Sequence, residues 1–134
     1  MLINKANASI IDTREVYIHD DILLDMSFNR IDKELTLKFE KYASDEKTYF
    51  INFSGVIGFS MTSADFWGAS ECVLDFENVL DAQKVLIPEI LKKHRETDGL
   101  FKDISYDNYI ETIFTFGSGD ILRIACETIE ILND

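Results

Sequence analysis

Residues 22–40 read ILLDMSFNRIDKELTLKFE, and this stretch decides the fold. Apolar residues recur at every second position in its first half: Ile22, Leu24, Met26 and Phe28, with Asp25, Ser27 and Asn29 between them. After a polar break at residues 30–33 the alternation resumes, Leu35, Leu37 and Phe39 against Thr36, Lys38 and Glu40. A period of two belongs to a half-buried strand, because successive side chains leave a strand on opposite faces. Two such runs joined by a short polar turn predict an antiparallel hairpin.

The same rhythm extends outward. Over 49–59, Tyr49, Ile51, Phe53, Ile57 and Phe59 are expected on one face, with Gly55 and Gly58 marking a bulge, a bend or a close backbone approach. Residues 71–76 read as a further strand. A second clear hairpin runs over 109–131 around the turn Gly117-Ser118-Gly119-Asp120, whose residues suit a tight turn. In its second arm Arg123, Ala125, Glu127 and Ile129 are expected opposite Leu122, Ile124, Cys126 and Thr128. Apolar residues on both faces point to a central strand or to one covered on both sides. One helix is predicted over 87–96, with Pro88 in its first turn, where a missing N–H costs nothing. Lys92, Lys93, His94 and Arg95 suit its negative end, and Asp98-Gly99 stops it. Val16, Tyr17 and Ile18 read as a strand lead-in.

The expected fold class is therefore α+β and mainly antiparallel β, a curved sheet or a partly open barrel or sandwich with one main helix. The 134 residues contain no Gly/Pro/Ser linker and no repeat, so a single domain over 1–134 is expected. Asn4, Lys5, Asn7 and Ser9 interrupt the apolar run that a signal peptide needs, and no apolar run reaches membrane-spanning length. A cytoplasmic protein is the expectation, and Cys72 and Cys126 read as two reduced thiols.

The chain carries 25 acidic and 13 basic residues, a net charge of −12. That excludes an ordinary nucleic-acid or anionic-membrane partner, since both need clustered Lys and Arg. The acid is uneven: residues 48–83 carry five acids and no base, residues 103–134 carry seven acids against Arg123, and residues 84–102 are net basic. If the two acidic stretches meet in space they form a candidate binding face for a basic partner; if not, they serve solubility.

Catalytic patterns are missing. There is no G-x-S-x-G elbow, no phosphate-binding glycine loop and no calcium loop, and only two histidines exist. No enzyme and no cofactor is expected. His19-Asp20-Asp21 carries metal-ligating side chains and is a secondary metal candidate. It resembles, at the level of the dipeptide, the His-Asp pair of metal-dependent phosphohydrolases. Those are helical and take further ligands from other helices, whereas this chain has only His94 besides. A polar lead-in to a strand is the competing reading.

The stretch 54–70, SGVIGFSMTSADFWGAS, lacks bases and ends in a loop that delivers Phe66 and Trp67. Tryptophan is a frequent interface anchor, though it also plugs cores. Asp65, Glu71, Asp75 and Glu77 supply an acidic rim, Asp75 and Glu77 sharing one strand face. The candidate partner-binding set is thus Asp65, Phe66, Trp67, Glu71, Asp75 and Glu77.

Taken together, His19-Asp20, Phe53-Ser54-Gly55-Val56, Phe66-Trp67-Gly68 and the hairpin over 109–127 resemble small bacterial immunity proteins of polymorphic-toxin systems. The resemblance implies an all-β or α+β protein without catalytic residues. Such a protein binds and neutralises a cognate toxin, often a basic one. The expected function is an acidic protein-binding module of this kind, acting by steric and electrostatic blockade. Two alternatives stand beside it: a small-molecule-binding or enzymatic domain with a pocket near Trp67, and a structural homo-oligomeric subunit.

Overall fold

The computed structural model describes residues 1–13, 15–42, 47–62, 72–96 and 106–133. Nine strands occur among them: β1 (Leu2–Ile3), β2 (Ile22–Asn29), β3 (Glu34–Glu40), β4 (Thr48–Ser54), β5 (Gly58–Met61), β6 (Val73–Asn78), β7 (Ile110–Phe116), β8 (Ile121–Cys126) and β9 (Thr128–Asn133). One α-helix, α1 (Leu86–Glu96), and three short 3-10 segments, Lys5–Asp12, Asp81–Gln83 and Tyr106–Asn108, complete them. The strands form two open antiparallel sheets, β1-β9-β4-β3-β2 and β5-β8-β7-β6. The α+β reading with mainly antiparallel strands is therefore correct, and the sheets do not close into a barrel.

Both predicted hairpins are present. β2 pairs with β3, Phe28 opposite Leu35 and Met26 opposite Leu37. β7 pairs with β8 across the Gly117–Asp120 turn, where Phe116 N–H donates to the Asp120 carbonyl. The predicted helix begins one residue early, at Leu86. Residues 15–21 form no strand, so the expected lead-in at Val16, Tyr17 and Ile18 is corrected. Ile18 is buried while Tyr17 faces solvent, so the alternation there reflects anchoring to the core rather than pairing.

Two chain segments cross between the sheets side by side. β4 passes to β5 through residues 55–57, and β8 passes to β9 through Glu127. The crossings are stitched together: Glu127 N–H donates to the Ser54 carbonyl (3.0 Å) and Ile57 N–H to the Ala125 carbonyl (3.0 Å). The β8–β9 crossing shifts the alternation by one residue, whereas at the β4–β5 crossing only Val56 falls out of step and the inward set resumes at Phe59 and Met61. Val56, not Ile57, enters the inter-sheet core, and Ile57 turns to the outer face against α1. Beyond Glu127, Ile129 joins Leu122, Ile124 and Cys126 in the core instead of lying opposite them. At Glu127 this one-residue slip exchanges which face of the strand is inward.

The core lies between the sheets and centres on Phe114, which stacks on Phe76 (4.2 Å between ring centres) and packs against Phe39, Phe53 and Phe116. Each buried phenylalanine contributes about 1.5–3 kcal/mol of apolar transfer energy, so this cluster is a principal source of stability.

The outer face of the second sheet is covered by α1. Ile87 packs with Tyr109 and Ala125, while Leu86 and Ile90 lie over Gly58. A Cβ at Gly58 would stand 2.6 Å from Ile90 Cδ1, so the glycine admits the helix. Glu111 on β7, wholly buried, accepts hydrogen bonds from Val85 N–H (3.0 Å) and Ile87 N–H (2.8 Å) at the start of α1. Arg123 Nη1 donates to the same carboxylate at 2.8 Å. Burial works to raise the Glu111 carboxyl. The amides of Val85, Ile87 and Leu86 and the Arg123 guanidinium outweigh it and hold the group below the usual carboxylate range.

Candidate partner-binding site

Asp65, Phe66, Trp67 and Glu71 lie outside the described residues. Asp75 and Glu77 stand on β6, an outer strand of its sheet, opposite Thr115 and Ile113 of β7. A register shift between Val73 and Asp75 bulges the strand at Leu74. Beyond it Phe76 turns into the core while Asp75 and Glu77 face solvent. The two side chains, two positions apart, share the solvent face of the strand.

A third carboxylate joins them. The 3-10 segment Lys5–Asp12 packs against β6 with Ala8 and Ile11 buried, and Asp12 Oδ1 accepts a hydrogen bond from Asn78 N–H at 2.9 Å. Between this segment and β6 opens a cavity of about 290 Å³, walled by Asp12, Asp75, Glu77, Leu74, Tyr17 and His19. No Lys or Arg lines it among the described residues. The Glu77 carboxyl is raised above its ordinary range, first by side-chain hydrogen bonding to Asp75, which favours the protonated form of Glu77, then by partial burial, then by the negative charges of Asp75 and Asp12. The site thus concentrates negative charge that the described part of the chain leaves unneutralised.

The residues 19–21 separate rather than converge. His19 stacks on Tyr17 (6.2 Å) and its Nδ1 lies 3.1 Å from Asp20 Oδ2, both side chains being partly exposed. Asp21 is buried, accepting from Tyr49 Oη at 2.5 Å and from Tyr42 N–H at 2.9 Å. Its carboxylate fixes the start of β2 against β4 and is occupied there. No three His, Cys, Asp or Glu side chains among the described residues group as metal ligands. Of the two thiols, Cys126 is buried in the core, which pushes it well above the thiol range; Cys72 bridges to Ile22 in the backbone.

The two acidic stretches of the sequence do meet, since β6 pairs with β7, β5 with β8 and β4 with β9. Their acids do not all reach the surface, because Glu111 is buried on Arg123. Sequence reading missed Asp12 and Tyr17. No local pattern marks them, since their role arises only when the N-terminal segment folds back on β6. It also placed Ile22, Leu24, Met26 and Phe28 on one face; the bulge between Leu23 and Asp25 splits them, Ile22 standing opposite Glu40 while Met26 and Phe28 stand opposite the core residues Leu37 and Leu35, and all four stay 36–45% exposed. β2 is the terminal strand of its sheet, so its neighbours cover it on one side alone.

No helix among the described residues is long and apolar enough to cross a membrane. Comparison with protein-family models, with curated proteins and with solved structures finds no match to this chain.

Proposed function

We propose that this chain is an acidic protein-binding module of the cytoplasm, an immunity protein that neutralises a basic toxin by steric and electrostatic blockade. The observation that carries this reading is the cavity walled by Asp12, Asp75 and Glu77, with no Lys or Arg lining it among the described residues. Three carboxylates that repel one another gain when a partner's Lys or Arg enters, because the incoming charge relieves the repulsion it replaces. Tyr17 and His19, stacked on each other, line the same cavity and add aromatic surface beside an incoming cation. The net charge of −12 adds long-range steering.

The test is capture of partners from the cells that make the protein, followed by association kinetics against salt. The reading expects one basic partner whose on-rate falls at least about tenfold from low to physiological ionic strength. The triple variant Asp12→Asn, Asp75→Asn, Glu77→Gln should slow association and flatten the salt response. A partner indifferent to both salt and these substitutions would refute the electrostatic blockade.

A further inference from the structure

Another cavity, of about 210 Å³, lies where residues 15–18 pass Lys41 at the end of β3, Tyr49 of β4 and Ile131 of β9. Its apolar wall is continuous with the core: Ile18 and Tyr49 are buried members of the inter-sheet cluster, and Val16 and Ile131 pack against it. Its charged side chains, Lys41 and Glu15, are both exposed and form the rim. The Met1 ammonium is directed to the Ile131 carbonyl (3.3 Å). Lys41 is held in place. Its N–H donates to the Lys47 carbonyl at 2.9 Å, and its ammonium lies 5.3 Å from the centre of the Tyr49 ring. That ring is fixed in turn, because it stacks on Phe39 (5.4 Å) and Tyr49 Oη donates to buried Asp21 at 2.5 Å. An ammonium resting on a ring face keeps N–H donors for an acceptor on its other side. Among the described residues no carboxylate lies within ion-pair distance of Lys41.

We propose that this cavity binds a small apolar monocarboxylate, an aryl- or alkyl-carboxylic acid, with its carboxylate on the Lys41 ammonium and its apolar body against Val16, Ile18, Ile131 and the Tyr49 ring. An apolar wall beside a few fixed polar groups is the common build of a small-ligand site. Burial of the body supplies affinity, and the charge-assisted bond to Lys41 sets the orientation. The net charge of −12 opposes any anion, so the apolar contact carries most of the binding. Glu15 on the rim opposes a second negative charge, which disfavours a dicarboxylate or a phosphate. The site uses none of Asp12, Asp75 and Glu77, so it stands or falls apart from the toxin-binding reading.

Titration of the isotopically labelled chain with 3-phenylpropionate, followed by NMR amide shifts, tests the site. Shifts at residues 15–18, Lys41, Tyr49 and Ile131 should saturate together, with a Kd of about 1 mM or tighter. 3-Phenylpropanol has the same body without the charge and should bind more weakly. In Lys41→Gln, a change at an exposed position, the Kd for the acid should rise at least about fivefold while that for the alcohol stays unchanged. Absence of saturation by about 10 mM would overturn the proposal. So would equal affinity for acid and alcohol in the unmodified chain, an unchanged Kd in Lys41→Gln, or saturating shifts confined to residues outside the cavity.

Discussion

Gly55 and Glu127 lie against each other where the two chain crossings meet: a Cβ on Gly55 would stand 2.7 Å from Glu127 Cγ and 2.9 Å from Glu127 Cβ. Gly55 also has φ of +64°, where an L side chain strains against its own backbone. Glu127 is tethered at both ends, its N–H bonded to Ser54 and its Oε1 accepting from Tyr109 Oη at 3.3 Å. The corner of the sandwich is thus built on a missing side chain.

Gly55→Ala should therefore destabilise the fold by at least about 2 kcal/mol, the left-handed strain supplying about 1–2 kcal/mol before any overlap is counted. Urea unfolding measures it. Adding Glu127→Ala removes Cγ and Cδ but leaves the strain, so the double variant should recover only part of the loss. Full additivity of the two substitutions would show that the contact carries no energy.

Glu111 and Arg123 predict a helix that detaches. Glu111→Ala leaves Arg123 without its carboxylate and the Val85 and Ile87 amides without their acceptor, a loss of about 3–5 kcal/mol. Amide protection in α1 should collapse before that of β3 and β4. The sign with pH is also fixed. The folded carboxyl sits below its unfolded value, so its stabilisation is present above the unfolded value and lost as pH falls through the folded one. Unfolding midpoints measured downward from neutral pH should fall less steeply in Glu111→Gln than in the unmodified chain.

The strands, the hairpins and the helix were legible because each rests on local periodicity or turn chemistry, as in residues 22–40 and 117–120. The sheet crossings were not. A slip of one residue at Glu127 looks, in sequence, like continued alternation with its sides exchanged, so Ile129 was assigned to the wrong face. Glu111 carried a fainter signal, a lone charge in the run Ile110-Glu111-Thr112-Ile113 that is apolar on both sides, with Arg123 as a cross-strand neighbour. Two of the three carboxylates of the candidate site, Asp75 and Glu77, were legible on one strand face. Asp12 was not, because a tertiary contact brings it there.

The strands that end the two sheets are β1 and β2, β5 and β6, and each is either short or bulged. β1 and β5 have two and four residues; β2 and β6 slip register just before Asp25 and Asp75. Short strands and bulges beside a charge prevent edge-to-edge pairing. The β2 bulge has a measurable signature. Leu23, buried opposite Phe39, should cost about 2–5 kcal/mol as Leu23→Ala, whereas Leu24→Ser, at an exposed bulge position, should cost under about 1 kcal/mol. Equal losses at the two sites would contradict the register.

Thr112 gives the opposite expectation, a gain. It lies on β7 opposite Ile124, wholly buried, and its Oγ1 has no hydrogen-bond partner among the described residues. A buried hydroxyl without a partner has given up its bonds to water and received nothing in return, a cost of about 1–3 kcal/mol. Valine has nearly the same shape, keeps the β-branch that suits a strand, and replaces the hydroxyl with a methyl. Thr112→Val should therefore raise stability by up to about 1 kcal/mol, the remainder being taken by fitting the new methyl among Phe114, Ile110 and Ile124. Thr112→Ser keeps the hydroxyl and loses the methyl, so it should destabilise. Thermal or urea unfolding of both variants separates the two effects. If serine were tolerated better than valine, the hydroxyl would be making a bond that stabilises the fold.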